Sequence, residues 1–183
     1  IARKLTELQG GTLFFDSIQG KGTKFILHIS FEISAEEPEK KSHMYQNCSV
    51  EGIQVLLVED NELNMEIAEF VLQNEGAVVT KAWNGQKAVD IFRKNRPGEF
   101  DVILMDIMMP VMNGYEAAKM IRSLDREDAK VIPIIAMTAN AFTEDKMRAK
   151  EAGMDEHIAK PVDGKLLVKV INELVKRNQR EKL

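Results

Sequence analysis

Residues 100–110 read FDVILMDIMMP, an apolar run that ends in a single carboxylate, Asp106, and is closed by Pro110. Its centre, Val102 to Met105, is typical of a strand buried on both faces of a parallel sheet. Asp106 then stands at the carboxyl end of that strand. Open α/β sheets bind their ligands in the crevice outside this edge, so Asp106 is the first candidate functional residue.

From Gly52 onward, strands alternate with amphipathic helices, which indicates a parallel α/β sheet. We predict a doubly wound, flavodoxin-like α/β fold with five parallel strands in the order 2-1-3-4-5. The predicted strands are Gln54–Val58, Val78–Ala82, Val102–Met105, Ile134–Met137 and Glu156–Ala159. The predicted helices lie near Asn61–Glu75, Gly85–Arg96, Gly114–Ser123, Thr143–Ala152 and from Asp163 onward.

Two of these helices carry apolar stripes that we expect to face the core. The first helix has Leu63, Ile67, Phe70 and Val71 on one stripe, and the last has Leu166, Leu167, Val170, Ile171 and Leu174. A variant capping box, Asn113 with Glu116, predicts the start of the third helix.

The composition excludes several classes of protein. The chain has 183 residues, of which 44% are hydrophobic and 30% charged, and no apolar run approaches the length of a membrane-spanning helix. A formal net charge of -4 argues against a nucleic-acid partner. We expect no membrane contact, and the single Cys48 favours a reducing, cytoplasmic location.

Residues 1–33 form a separate predicted unit, a helix ending at Gly10-Gly11 and then a hairpin of Thr12–Phe15 and Thr23–Ile33. The turn at residues 20–23 lacks the glycine and lysine spacing of a phosphate-binding loop. Chains this short rarely build their own core, so we expect the remnant of a larger domain or a unit that leans on a partner. Residues 34–51 are polar and predict a linker to a domain at 52–183.

Four of the five predicted strands end in a polar residue at the same edge: Glu59 and Asp60, Asp106, Thr138, and Lys160. Each alone is explained as a helix cap, but capping does not account for this mixture. Three carboxylates so close together repel, which a hard divalent cation such as Mg²⁺ would relieve. A lysine and a hydroxyl could hold phosphoryl oxygens, so the edge suits phosphoryl transfer to Asp106.

These motifs resemble the receiver domain of two-component response regulators, over residues 53–175. The resemblance implies that Asp106 is the phosphoacceptor, that Asp60 binds Mg²⁺ directly and Glu59 through water, and that the Met108 carbonyl is a further ligand. It also implies roles for the three positions Thr138, Lys160 and His157: Thr138 closes onto the phosphoryl group, Lys160 contacts it with a cis bond to Pro161, and His157 occupies a switching position. A lone histidine there is equally explained as a packed or solvated side chain.

The N-terminal unit resembles the carboxyl-terminal end of a sensor histidine kinase ATP-binding domain, through residues 1–5, Gly10-Gly11, Asp16-Ser17 and residues 20–25. The nucleotide-binding motifs of that family have no counterpart, so we expect neither tight ATP binding nor histidine autophosphorylation. Together the resemblances imply part of a hybrid histidine kinase, whose parent can be membrane-anchored. The donor would be a kinase phosphohistidine.

The resemblance leaves the output open. The receiver would pass the phosphoryl group to a histidine phosphotransfer protein, or switch the face formed by its fourth helix, fifth strand and fifth helix. Its own catalysis would be limited to phosphotransfer onto Asp106 and slow autodephosphorylation. One alternative is a receiver-like interaction module that does not switch. Another is a metal-dependent phosphatase, which usually needs a second aspartate where this chain has Met108.

Overall fold

The computed structural model describes residues 2–30, 49–138 and 143–181, which divide into two compact units, Ile1–Met44 and Tyr45–Leu183. The predicted linker and the end of the second hairpin strand lie mostly outside these residues. No helix in the described ranges is long and apolar enough to cross a membrane.

The N-terminal unit is the predicted helix and hairpin: α1 (Ala2–Leu8), β1 (Thr12–Ile18) and β2 (Gly22–His28). The strands pair antiparallel, with Phe15 opposite Phe25. Gly20 and Gly22 adopt positive φ angles in the turn, as glycine permits. Phe15, Phe25 and Leu27 are exposed, so the described part of the hairpin does not bury the apolar side chains that its alternation led us to expect inside.

The second unit contains the five-stranded sheet with helices on both faces. Its elements are β3 (Gln54–Val58), α2 (Glu62–Asn74), β4 (Val78–Ala82), α3 (Gly85–Lys94), β5 (Val102–Asp106), α4 (Gly114–Arg122), α5 (Glu127–Val131), β6 (Ile134–Thr138), α6 (Thr143–Glu151), β7 (Glu156–Ala159) and α7 (Gly164–Glu181). All neighbouring strands are parallel, in the order β4-β3-β5-β6-β7. The predicted fold class and strand order are therefore confirmed.

The core lies on both faces of the sheet, and β5 runs through its centre. Residues 102–105 of β5 have no exposed surface, as a fully apolar run predicts. The capping box of α4 is present, since Asn113 accepts from the Glu116 amide and Glu116 accepts from the Asn113 amide. These contacts fix the position at which the chain turns back after β5.

The apolar stripe predicted to bury α2 was wrong. Leu63, Ile67 and Phe70 are 64%, 49% and 71% exposed. The opposite face of the helix, with Met65, Ala68 and Leu72, packs in the core instead. A period of 3.6 residues is satisfied by both stripes, and periodicity does not say which faces the sheet. In α7 the stripe is confirmed for Leu167, Ile171 and Leu174, whereas Leu166 is exposed.

Helix α5 was not predicted, because five residues are too few to show an apolar period. Arg126, just before it, anchors the helix. Its guanidinium donates to both carboxylate oxygens of Asp128, at 2.8 and 2.7 Å, and to the backbone carbonyls of Phe92 and Asn95. It also lies 4.4 Å from the centre of the Phe92 ring. One arginine thus joins the end of α3 to the start of α5.

The folded unit also begins before residue 52. Val50 is fully buried in the core on one face of the sheet. The buried Asn172 of α7 donates a 2.6 Å hydrogen bond to the carbonyl of Ser49. Residues 49–51 were assigned to the linker because they show no local periodicity, yet Ser49 and Val50 contact this unit.

Candidate functional site

The strand ends bring the predicted polar residues to one edge of the sheet. Glu59 and Asp60 follow β3, Asp106 ends β5 and Thr138 ends β6. Lys160 follows β7 directly, and its amide donates to the Thr138 carbonyl at 2.8 Å. Because parallel strands share the direction of their carboxyl ends, one edge collects all five residues.

Lys160 lies between two buried carboxylates. Its ammonium is 2.9 Å from Oδ2 of Asp106 and 2.5 Å from Oε2 of Glu59. Glu59 and Asp106 are only 2% and 4% exposed. Two acids at this depth need a cation, because an unpaired buried charge is costly. Lys160 supplies that charge.

Burial and the ion pairs act in opposite directions on these groups. Burial raises the pKa of Asp106 above its ordinary value, and the hydrogen bond and charge of Lys160 offset this only in part. Burial also tends to lower the pKa of Lys160. Its hydrogen bonds to Asp106 and Glu59 outweigh that effect and leave the pKa raised. Lys160 therefore stays protonated at neutral pH.

The acidic cluster has the chemistry of a site for a hard divalent cation. Glu59, Asp60 and Asp106 each offer a carboxylate oxygen, and these oxygens lie within 4.8 Å of one another. Asp60 is exposed while the other two are buried, so the cluster opens to solvent on one side. An all-oxygen donor set with room for water is what Mg²⁺ prefers.

Asn64 is a residue of this site that the sequence analysis missed. Its side-chain amide donates to Oε1 of Glu59 at 3.1 Å, so both oxygens of Glu59 have partners. Asn61 caps α2 by accepting from the Asn64 backbone amide. The signal was an asparagine in the first turn of the helix that follows the acid pair.

The positions predicted to switch share a pocket. Thr138 and His157 both line a pocket that Tyr115 of α4 and Lys146 of α6 complete. The His157 ring is partly buried, and its Nδ1 lies 3.1 Å from Oε1 of Glu156. The Lys160–Pro161 bond is cis, as the resemblance implied. Met108 is exposed, and its amide donates to Oδ1 of Asp106 at 3.3 Å.

The comparisons with known proteins point to one family. Residues 55–172 match the response regulator receiver domain. The chain is 35% identical over 174 residues, 94% of its length, to the aerobic respiration control sensor protein ArcB of Escherichia coli K12. It is 41% identical over 120 residues, 64% of its length, to hybrid signal transduction histidine kinase I of Dictyostelium discoideum. It spans only 22% and 7% of these two proteins.

A solved structure agrees with this assignment. The receiver domain of a sensor histidine kinase from Pseudomonas aeruginosa PAO1, which holds a magnesium ion in its active site cleft, is 37% identical with a TM-score of 0.62. The similarity covers 68% of this chain and 98% of that one. This chain belongs to the response regulator receiver family, and its acidic cluster fits the phosphoacceptor and magnesium site of that family.

Proposed function

We propose that this chain accepts a phosphoryl group on Asp106 from a phosphohistidine, as one step of a phosphorelay. The observation that carries the proposal is the position of Asp106, a single carboxylate at the end of the central strand, between Lys160 and the acid pair. Phosphoryl transfer depends on in-line positioning and charge neutralisation, and the edge offers both.

In the proposed reaction, an Asp106 oxygen attacks phosphorus, the P–N bond to the donor imidazole breaks, and an acyl phosphate forms. Lys160, now beside Asp106, would hold one phosphoryl oxygen as a point charge. The Thr138 hydroxyl would hold another. Hydrolysis by water would later release phosphate and regenerate the carboxylate.

Mg²⁺ is the cofactor that the residues fit. Asp60 and Asp106 would bind it directly, Glu59 through water, and the Met108 carbonyl would be a further ligand. When bound, the ion would neutralise the charge of the phosphoryl oxygens. The support from this chain is the all-oxygen cluster with its open side.

The output would pass through Thr138 and His157. Because both side chains line one pocket, movement of Thr138 toward the phosphoryl group would leave space that His157 could enter. This would alter the face formed by α6, β7 and α7.

We also propose a histidine phosphotransfer protein as the relay partner. The exposed residues Leu63, Ile67 and Phe70 follow the i, i+4, i+7 spacing with which a helix face meets an apolar partner surface. Helix α2 begins two residues after Asp60, and Ile67 lines a pocket together with Glu59 and Lys160. A protein that brings a histidine to Asp106 would lie across this surface.

The N-terminal helix and hairpin, residues 1–33, would be the end of a kinase ATP-binding domain, residues 34–51 the linker, and residues 52–183 the receiver. The support is the similarity to ArcB, which extends over 94% of the chain and so reaches beyond the receiver. The exposed apolar residues of the hairpin, such as Phe15 and Phe25, fit a piece of a larger domain.

The test of the function is phosphorylation with acetyl phosphate and MgCl₂, followed by mass spectrometry of the intact chain. The wild type should gain one phosphate, and Asp106→Asn should gain none. Asp125→Asn, which removes an exposed carboxylate, should behave as wild type. An Asp106→Asn protein that is labelled as fully as the wild type would contradict the proposal.

The partner surface is tested with a purified, phosphorylated histidine phosphotransfer protein. Phe70→Ser should slow transfer about tenfold or more, as loss of an apolar interface anchor does, while labelling by acetyl phosphate stays unchanged. The matched control is Met147→Ser, an exposed apolar residue of α6. If Met147→Ser slows transfer and Phe70→Ser does not, the partner uses the α6 face instead.

A further inference from the structure

Gly114, the first residue of α4, packs directly against the backbone of the reactive aspartate. A Cβ atom placed on Gly114 would lie 2.2 Å from the carbonyl oxygen of Asp106 and 3.0 Å from its carbonyl carbon. The Gly114 amide also donates to the Ile107 carbonyl at 3.0 Å. Only a residue without a side chain fits this approach.

Neither side of this contact can move freely. Asp106 pairs with Met137 of β6, and the Ile107 amide donates to the Met137 carbonyl at 3.2 Å. On the other side, α4 is fixed by its capping box and by the buried Ile121. A methyl group on residue 114 would therefore force a displacement on the order of 1 Å, since close-packed atoms cannot absorb the overlap.

We propose that Gly114 is a positioning residue for phosphoryl transfer, which sets the place of the Asp106 carboxylate and of the loop that carries Met108. The inference rests on the proposed function of Asp106. Residues 107–113 connect the end of β5 to the start of α4, and both ends of this loop meet at the Gly114 contact. A shift there alters the distance between the nucleophile and the cation site.

The chain offers a matched control in Gly164. It begins α7 after an aspartate cap, as Gly114 begins α4 after an asparagine cap. A Cβ on Gly164 would meet a side-chain methyl of Val71 at 2.9 Å, not a strand backbone. Glycine to alanine changes helix propensity in the same way at both sites, so the difference between them isolates the contact with Asp106.

The experiment compares Gly114→Ala, Gly164→Ala, Asp106→Asn and wild type. Phosphorylation by acetyl phosphate is timed at saturating MgCl₂, and Mg²⁺ affinity is measured separately by the fluorescence of Trp83, the single tryptophan. For Gly114→Ala we expect a rate about 10 to 100 times lower, as 1 Å displacements cause, and a higher Kd for Mg²⁺. Circular dichroism should still show a cooperative melt, and Gly164→Ala should stay within about twofold of wild type.

Each other outcome has a meaning. Wild-type rate and Mg²⁺ affinity in Gly114→Ala would overturn the positioning role. Loss of the native fold in Gly114→Ala would assign the residue to folding alone, and an equal loss of rate in Gly164→Ala would assign the effect to helix starts in general. Labelling of Asp106→Asn equal to wild type would instead contradict the proposed function.

Discussion

Replacement of Lys160 by methionine tests the electrostatics of the site most directly. The change keeps the length of the side chain and removes the ammonium that lies between Glu59 and Asp106. Removing one partner of a buried ion pair costs about 3 to 5 kcal/mol. Since Asp106 can take up a proton, and burial already raises its pKa, part of this cost is recovered. We expect a loss of about 3 kcal/mol in the free energy of unfolding at pH 8.

The dependence on pH has a definite sign. Without Lys160, the folded chain retains a proton on Asp106 at pH values where the unfolded chain has already lost it. A group whose pKa is raised by folding makes stability fall as the pH rises above its unfolded value, here about 4. The deficit of Lys160→Met relative to wild type should therefore be larger at pH 8 than at pH 5.

Urea unfolding in EDTA, followed by circular dichroism at both pH values, measures this deficit. Lys150→Met removes an exposed lysine and should change stability by less than about 0.5 kcal/mol. Adding Asp106→Asn to Lys160→Met should restore part of the loss, because one of the two facing charges is gone. A deficit below about 1 kcal/mol, or one that does not change with pH, would refute the reasoning.

Three further substitutions test contacts that position the site. Arg126→Met should lower the free energy of unfolding by about 2 to 4 kcal/mol in urea titrations, because Asp128 and two backbone carbonyls lose a charged donor; an effect below about 1 kcal/mol would contradict this. Asn113→Ala should cost about 1 kcal/mol through loss of the α4 cap, while serine there should recover most of it. Asn172→Ala should cost about 1 to 2 kcal/mol and speed exchange of the Val50 amide; unchanged exchange would show that Ser49 is held by other contacts.

The strand ends could be predicted from the sequence because a parallel sheet has one carboxyl edge, and the residues after each apolar run must meet there. The partners of those residues could not. Lys160 is 101 positions from Glu59, and nothing in local periodicity says that the two form a hydrogen bond. Asn64 was missed for a related reason, since an asparagine in the first turn of a helix is equally compatible with an exposed position.

The error in α2 has a different origin. Leu63, Ile67 and Phe70 are large and regularly spaced, which made them the stronger core candidates by hydrophobicity. Packing against the sheet instead selected the smaller Ala68 together with Met65, which lie close to a flat surface more easily. Apolar periodicity thus located the helix correctly and assigned its faces wrongly.

The complete burial of β5 has a consequence for how a modification of Asp106 can be felt elsewhere. The strand is paired on both sides and covered on both faces, so its amides should exchange with solvent only when the whole unit opens. The reactive oxygen is thus attached to the part of the molecule least able to yield. Any response to a new charge must be taken up by the loops around it, with the strand acting as a fixed reference against which they move.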